Sequence, residues 1–364
     1  MKDIIQKISE NKLPIFIVIL ISGFLLRLLL ILSQNQPPHY EFPVGMDEVN
    51  YLELSENILK FKTFGAWSEN FFTRSTRSPV YPAVLSVLNF FLGYSERLPQ
   101  ILNLFIDTLN IILIYQISLL LFGVPAGLFS SAFYAFYAPA FMYLPFVTSD
   151  ILSVFLFLII SLAISTINKF DCKIIFFIII YAIAVHIKPV LLLVAPFANF
   201  AIYLIFKKHS EKNAFLKSAH ILFAIYVLCF PWAMRNYCIH RSFVPVCTVA
   251  GWHLYDSAKT AEELNPQILM RYIYSPDKTQ HTESDYFDEG MKELRQKILE
   301  NPAEKIYKGF LRILYFWLPE KPWIRIFLPY AYVQPIYFGK SFFLPMPDFE
   351  GFLYALFIFI VVMA

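Results

Sequence analysis

Long apolar runs separated by short polar links dominate the chain and predict its elements. A helix needs about 20 apolar residues to cross the hydrocarbon core of a bilayer. Runs of this character lie at residues 14–32, 100–121, 125–143, 149–167, 174–187, 190–206 and 215–233. They predict an all-α polytopic membrane protein with seven crossings.

Two further apolar runs are short for a crossing. Residues 80–92 end at Gly93 and predict a juxtamembrane or re-entrant helix in the polar region after the first crossing. Residues 352–364 close the chain, and we expect a truncated or incomplete helix there. Counting that run as part of a longer helix would bring the transmembrane helices to eight or more.

Residues 45–67 have the pattern of a short amphipathic helix that begins with two carboxylates, Asp47 and Glu48. Apolar residues follow Asp47 at helical spacing, namely Tyr51, Leu54, Ile58 and Phe61. Glu56 and Lys60 on the opposite face are spaced for an i,i+4 ion pair. This pattern predicts an interfacial helix with acidic residues at the lipid-water boundary. A helix cap is the alternative role for both carboxylates.

The composition indicates the class of protein, and the placement of basic residues indicates its orientation in the membrane. Of 364 residues, 58% are hydrophobic, 18% aromatic and 16% charged, which excludes a soluble globular protein. A net charge of +3 is too small to indicate a nucleic-acid partner. Basic residues precede the first run and also lie in residues 168–173 and 207–212, which share one side if all seven runs cross. The positive-inside rule makes that side cytoplasmic, and the first run should be retained as a signal anchor.

This orientation brings four polar segments to the outer side: residues 33–99, 143–150, 186–189 and those from 231 onward. Charged side chains at these membrane ends are candidates for one shared site, and they are Asp47, Arg74, Arg77, Asp150, Lys188 and Arg235. Residues 234–350 should be an elaborated outer loop with interfacial helices. We expect one transmembrane domain over residues 1–364, with the first outer loop at 33–99.

Three basic groups, Arg77, Lys188 and Arg235, have the chemistry of a phosphate site, because arginine binds phosphate oxygens bidentately and stays charged. The alternative is snorkelling of a long basic side chain to the interface. Asp150 suits either a helix N-terminus or a second active-site acid. His186 alone could be a packed neutral histidine. The histidines and cysteines have no metal-ligand spacing, and we do not expect a disulfide between Cys238 and Cys247.

Five segments together resemble the GT-C membrane glycosyltransferases of the protein mannosyltransferase and aminoarabinose transferase type. In chain order they are MDEVNYLELSENI, RSPVYPAVLSVLNFFLG, FVTSDILSVFLFL, HIKPVLLLVAPF and PWAMRNYCIHRSFVPVCTVAGWHLYDS. The resemblance covers most of residues 14–260. Ser78 and Pro79 depart from it, since relatives often have Pro-Gly or Pro-Pro there. We expect the further C-terminal helices of many members to be absent or cut off in this sequence.

The resemblance implies a GT-C fold and transfer of a sugar from a polyprenyl-phosphate donor. It makes Asp47 the catalytic or acceptor-activating carboxylate, places Asp150 in the same pocket, and turns Arg77 and Arg235 toward the donor phosphate. We add Glu48 to the catalytic group, Arg74 and Lys188 to the phosphate-binding group, and a supporting group of Tyr51, Tyr81, His186 and Asn236. No cofactor is required, although a divalent cation, Mg²⁺ or Mn²⁺, could bind at Asp47 and Asp150.

The expected function is therefore an inverting transferase of the bacterial cytoplasmic (inner) membrane, with its active site on the outer face. A glycan, lipid or protein acceptor, together with the lipid bilayer, completes the list of partners. Two alternatives remain from the residues alone. One is a transporter or flippase for a lipid-linked sugar, which also needs intramembrane charges. The other is a non-catalytic assembly protein.

Overall fold

A computed structural model describes residues 12–33, 45–68, 71–95, 97–141, 143–249 and 285–303, and it is mostly helical. The early elements are α1 (Lys12–Leu32), α2 (Gly45–Phe61), β1 (Ala66–Ser68), β2 (Phe71–Thr73), α3 (Val80–Leu92) and α4 (Leu98–Phe122). The later ones are α5 (Val124–Phe136), α6 (Ala138–Phe141), α7 (Asp150–Thr166), α8 (Cys172–Val185), α9 (Val190–Lys208), α10 (Ala214–His240) and α11 (Asp285–Glu300).

Four of the described helices are long and apolar enough to cross a membrane: α1, α4, α9 and α10. Shorter apolar helices, α3, α5, α7 and α8, overlap the predicted runs at residues 80–92, 125–143, 149–167 and 174–187. Large apolar side chains remain exposed along the long helices, as at Phe197 and Phe215, which are each 75% exposed. Such surfaces suit lipid rather than water. The prediction of an all-α integral membrane protein is therefore confirmed at the level of fold class.

The apolar run at residues 125–143 is not one helix, contrary to the sequence prediction. α5 ends at Phe136, Tyr137 has an extended backbone, and the short α6 follows. Pro139 explains the break, because a proline inside a helix has no N–H to donate and its ring clashes with the carbonyl four residues earlier. That carbonyl belongs to Ala135.

The last long helix is longer than predicted. The apolar run was expected to end near residue 233, yet α10 continues to His240. Arg235 and Asn236 therefore lie on a helix rather than on the loop after it. Arg241 follows in the left-handed conformation (φ 56°), and its N–H donates to the carbonyl of Tyr237, which ends the helix.

The central helix of the bundle is α4, which packs against α1, α3, α5 and α7. α8 packs against α7, α9 and α10, and α9 also packs against α10. One continuous apolar core runs through this assembly from Ile31 and Tyr81 to Phe206 and Cys229. All four cysteines are free. α3 has the short length expected of a helix that does not cross.

The predicted amphipathic helix is present as α2, which packs against α3. Tyr51 and Leu54 are buried, and Glu56 pairs with Lys60 as expected. Phe61 is 69% exposed and does not continue the apolar face, because the helix ends there and Lys62 turns into the left-handed conformation (φ 54°).

A two-stranded antiparallel hairpin, β1 and β2, follows α2 and was not predicted. Its register pairs Ala66 with Thr73 and Ser68 with Phe71. Gly65 precedes it at a point where a side chain would not fit, since a Cβ atom there would lie 2.3 Å from the ring of Phe72. The RSTRS segment at residues 74–78 follows β2 directly.

The C-terminal part of the chain is described only from 285 to 303. α11 confirms the helical pattern predicted in FDEGMKELRQKILE. Contacts divide the chain into one unit of residues 1–292 and another of residues 293–364. The interfacial helices predicted after Pro302 and the final apolar run at 352–364 lie outside the described residues, as do residues 250–284.

Candidate functional site

An ion pair joins the start of α7 to the link between α8 and α9. The ammonium Nζ of Lys188 lies 2.8 Å from Oδ1 of Asp150, and the two side chains are 37% and 46% exposed. Ser149 precedes α7 without making a side-chain cap bond. Asp150 is therefore held by a basic side chain rather than serving as a cap residue, and the predicted acid and one predicted phosphate ligand lie together.

Both charges of this ion pair interact electrostatically with Tyr143. Burial raises the pKa of the Tyr143 hydroxyl, the negative charge of Asp150 raises this pKa further, and Lys188 opposes the change. The Tyr143 hydroxyl is a potential hydrogen-bond donor beside the ion pair. Sequence reasoning did not identify Tyr143 because nothing in its local pattern distinguishes it from an interfacial aromatic.

Four residues form what we call the Tyr51 cluster: Tyr51, Arg77, Tyr81 and Ser149. The ring of Tyr51 meets that of Tyr81 edge to face, with 4.9 Å between centroids. The guanidinium of Arg77 lies 5.8 Å from the centre of the Tyr51 ring, within cation–π range. The Tyr51 hydroxyl lies 3.4 Å from Oγ of Ser149. This cluster connects α2, the start of α3 and the start of α7, directly beside Asp150.

His186 lies at the C-terminal end of α8. It follows α8, and its Nδ1 lies 2.8 Å from the carbonyl oxygen of Ala182, so Nδ1 carries the proton in this contact. Its own carbonyl accepts a 3.2 Å hydrogen bond from the N–H of Val80. His186 therefore fixes the start of α3, and its ring is bound to its own helix.

Arg235 is the centre of a second group, which we call the Arg235 cluster: Phe64, Arg74, Ser75, Arg235, Asn236 and His240. Its Nη1 donates to the carbonyl oxygen of Arg74 at 2.7 Å, to Oγ of Ser75 at 2.9 Å and to Oδ1 of Asn236 at 2.8 Å. Its Nη2 donates to the carbonyl oxygen of Phe64 at 3.2 Å. These hydrogen bonds join α10 to Phe64, before the hairpin, and to Arg74 and Ser75, between the hairpin and α3.

The guanidinium of Arg235 also lies against two aromatic rings. It is 4.5 Å from the ring centre of Trp232 and 5.2 Å from that of Phe64, and the two rings meet edge to face. The indole N–H of Trp232 donates to the carbonyl of Val246. This packing sets the plane of the guanidinium, a condition for directed binding of an anion.

Ser75 and Asn236 join the RSTRS segment to the chain after α10. The Ser75 hydroxyl donates to Oδ1 of Asn236 at 2.9 Å and lies 2.8 Å from Nε2 of His240. The Asn236 amide donates to the carbonyls of Val244 and Val246, each at 3.0 Å. Sequence reasoning missed Ser75 and His240, because these contacts are made across some 160 residues of chain.

The two carboxylates expected to do chemistry, Asp47 and Glu48, lie in the first turn of α2. Their side chains lie outside the described residues. Helical geometry puts position 47 one turn before Tyr51 on the same face. Position 47 is therefore next along that face to the residue that contacts Arg77, Tyr81 and Ser149.

The predicted cation site at Asp47 and Asp150 is only partly within the described residues. They contain no group of three or more histidine, cysteine or acidic side chains close enough to share a metal ion. The described oxygen of Asp150 is already paired with the ammonium of Lys188. The side chain of Asp47, the other predicted cation ligand, lies outside the described residues.

A fully buried ion pair within the predicted crossings was also missed. Nε of Arg27 on α1 donates to Oδ2 of Asp107 on α4 at 2.6 Å, and both side chains are 0% exposed. The hydroxyl of Tyr134 donates to Oδ1 of the same carboxylate at 2.5 Å. Arg27 Nη1 donates to the carbonyl oxygen of Ala135 at 2.8 Å. A charge inside each of two apolar runs was the signal that could have identified this pair.

Comparison with known proteins adds nothing to this geometry: no protein-family model matches the chain, and no curated protein matches it significantly.

Proposed function

We propose that this chain is a GT-C-type membrane glycosyltransferase that moves a sugar from a polyprenyl-phosphate donor to an acceptor. One observation carries the proposal. The segments that resemble that family, remote in sequence, contact one another. The Tyr51 cluster joins the first three, the Asp150–Lys188 pair joins the third to the fourth, and the Ser78 hydroxyl in the second donates to Sγ of Cys247 in the fifth. Arg77 and Arg235 lie on adjoining parts of this connected region, and the Asp150–Lys188 pair adjoins it.

In the proposed reaction the acceptor hydroxyl oxygen attacks the anomeric carbon while the bond from that carbon to the donor phosphate oxygen breaks. Asp47 takes the proton from the hydroxyl as general base. The leaving polyprenyl phosphate gains a negative charge, which fixed cationic groups at Arg74, Arg77 and Arg235 stabilise. A single displacement inverts the anomeric configuration.

The supporting residues act through position. Tyr51 and Tyr81 hold Arg77 against α2, and Asn236 holds the RSTRS segment against the chain after α10. Lys188 holds Asp150 in place, so that Asp150 or Glu48 can align the acceptor or Asp47. Placement of charge around a developing anion is the largest contribution such a site can make.

A transporter for a lipid-linked sugar is the competing proposal, and Arg27 with Asp107 is the feature that would favour it. Ionisable residues within crossings often mark transport pathways. Both residues are fully buried here and satisfy each other, so neither contacts solvent in this conformation. The other clusters lie at the ends of apolar helices rather than at their centres, which favours the transferase.

Seven crossings with an outer active face complete the proposal, and the native cysteines test this orientation. Cys172, at the start of α8, and Cys238, near the end of α10, are both exposed, whereas Cys229 and Cys247 are buried. We expect a membrane-impermeant maleimide to label Cys238 but not Cys172 in intact cells. Each is read in a variant with serine at the other position, and permeabilised cells provide the control in which both react. Labelling of Cys172 in intact cells would reverse the orientation.

Binding of the donor phosphate tests the proposed function directly. Arg77→Gln should weaken binding of a short-chain polyprenyl phosphate to the purified protein by about 10- to 100-fold, the loss expected for one charge-assisted hydrogen bond. Lys208→Gln is the matched control, because Lys208 is exposed in the last turn of α9 among the predicted cytoplasmic basic residues. Titration calorimetry in detergent micelles measures both. Equal affinities for the two variants would remove Arg77 from the phosphate site.

A further inference from the structure

Four polar residues lie on one face of α4, a helix that is mostly apolar. Gln100, Asn103, Asp107 and Asn110 are spaced by three, four and three residues, which aligns them in one stripe. All four are 0% exposed. Buried polar groups in a membrane helix are costly unless they find partners, so the partners indicate what the stripe is for.

The N-terminal half of the stripe, Gln100 and Asn103, binds a turn of the chain rather than another helix. The side-chain amide of Gln100 donates to the carbonyl of Pro145 at 3.0 Å. The Asn103 amide donates to the carbonyls of Leu144 and Phe146, at 3.2 and 2.9 Å. Three consecutive backbone oxygens of residues 143–149 are thus held by α4, and this turn leads directly into α7.

The C-terminal half of the stripe, Asp107 and Asn110, lies against the end of α5. Asp107 binds Arg27 and the hydroxyl of Tyr134, and Arg27 donates to the carbonyl of Ala135. Within a continuous helix that carbonyl would accept from residue 139, which is a proline without an N–H. The guanidinium of Arg27 therefore supplies the donor that Pro139 lacks.

We infer that this stripe, together with Arg27, is a positioning device for the turn at residues 143–149. It holds the chain at both ends of the interruption between α5 and α7. The turn places Ser149 beside the Tyr51 hydroxyl and Asp150 beside Lys188. The consequence for catalysis rests on the proposed function, whereas the positioning itself does not.

The amide group is the essential part of this device. Gln100 and Asn103 act as donors, and within the described part of the chain their side-chain oxygens, like that of Asn110, are buried without a hydrogen-bond partner. A carboxylate of the same shape could not donate to a carbonyl. Asn103→Asp should therefore be as disruptive as Asn103→Leu, although it preserves the size of the side chain.

Hydrogen exchange of the full chain in lipid nanodiscs tests the inference without any activity. Loss of the two bonds from Asn103 should raise exchange in residues 143–149 about tenfold in both variants, given the usual value of a side-chain hydrogen bond inside a membrane protein. Asn103→Gln keeps a donor and should restore part of the protection. Thr108→Val is the matched control on α4, because the Thr108 hydroxyl bonds within its own helix to Leu104. Unchanged exchange in the turn, or an equal rise throughout α4, would overturn the inference.

Measuring kcat distinguishes a positioning role of Asn103 from a general effect on packing. Asn103→Leu should lower kcat for sugar transfer about tenfold while the donor KM changes less than about twofold, because the proposed phosphate ligands do not lie on this turn. Increased exchange with an unchanged kcat would refute the catalytic role. If the wild-type protein transfers no sugar, the proposed function fails, and the exchange measurement still decides whether α4 positions the turn.

Discussion

Asp107→Leu should destabilise the folded protein by about 3–5 kcal/mol, because it leaves the guanidinium of Arg27 buried without its counter-ion. Both side chains are fully buried, so neither can recover its hydration by a small movement. The unfolding free energy is measured in detergent micelles from the loss of helical circular dichroism. Glu56→Ala is the control, since its exposed pair with Lys60 contributes only about 0.3–0.5 kcal/mol.

The double variant Arg27→Met/Asp107→Leu distinguishes a charge effect from a packing effect. Replacing both members of a buried pair with apolar residues is often nearly neutral. Recovery should be incomplete here, because the carbonyl of Ala135 loses its donor at a cost of about 1–3 kcal/mol. An Asp107→Leu variant no less stable than Glu56→Ala would show that the buried pair does not hold α1 against α4.

Asp47→Asn should lower the rate of sugar transfer by about 10²- to 10⁴-fold, the usual contribution of a general base. An amide has the size of the carboxylate but cannot accept the acceptor's proton. Glu56→Gln is the matched control, since it also removes one carboxylate from α2 but lies on the exposed side, paired with Lys60. Initial rates are compared at equal amounts of inserted protein.

Equal rates for Asp47→Asn and the wild type would remove Asp47 as the base. A comparable loss in Glu56→Gln would show that the effect arises from the stability of α2 and not from the chemistry. Retained transfer in Asp47→Asn with loss in an Asp150→Asn variant would move the base to α7.

Much of the fold follows from local pattern. Apolar runs identified the long helices, and the i,i+4 spacing of Glu56 and Lys60 identified a real pair. The short length of residues 80–92 identified α3 as a helix too short to cross comfortably. These features depend on neighbours within one or two helical turns, which is the range over which sequence periodicity carries information.

The remaining features depend on contacts between remote segments or on overlooked chemistry. Ser75 meets Asn236 and His240 only because the hairpin turns the RSTRS segment toward α10, and no local signal encodes that meeting. The break in the run at 125–143 could have been predicted from Pro139. Arg27 and Asp107 could likewise have been identified as charges within apolar runs, although their pairing could not.

The contacts among the candidate site residues could not be predicted from the sequence. Asp150 and Lys188 were given separate roles, and the structure joins them in one ion pair. Arg235 was expected on a loop and lies on α10, fixed by carbonyl oxygens and aromatic rings. The polar stripe of α4 was not identified, because three of its four members, Gln100, Asn103 and Asn110, are uncharged amides within an apolar run.

Transfer of radiolabel tests the central claim most directly. The wild-type protein and Asp47→Asn are reconstituted in liposomes with polyprenyl-phosphate sugars and an extract of envelope acceptors. We predict that the wild type releases polyprenyl phosphate and labelled acceptor in equal amounts, with the anomeric configuration inverted, and that Asp47→Asn releases neither. Labelled donor that crosses the bilayer with its sugar-phosphate bond intact would contradict the account and establish a transporter instead.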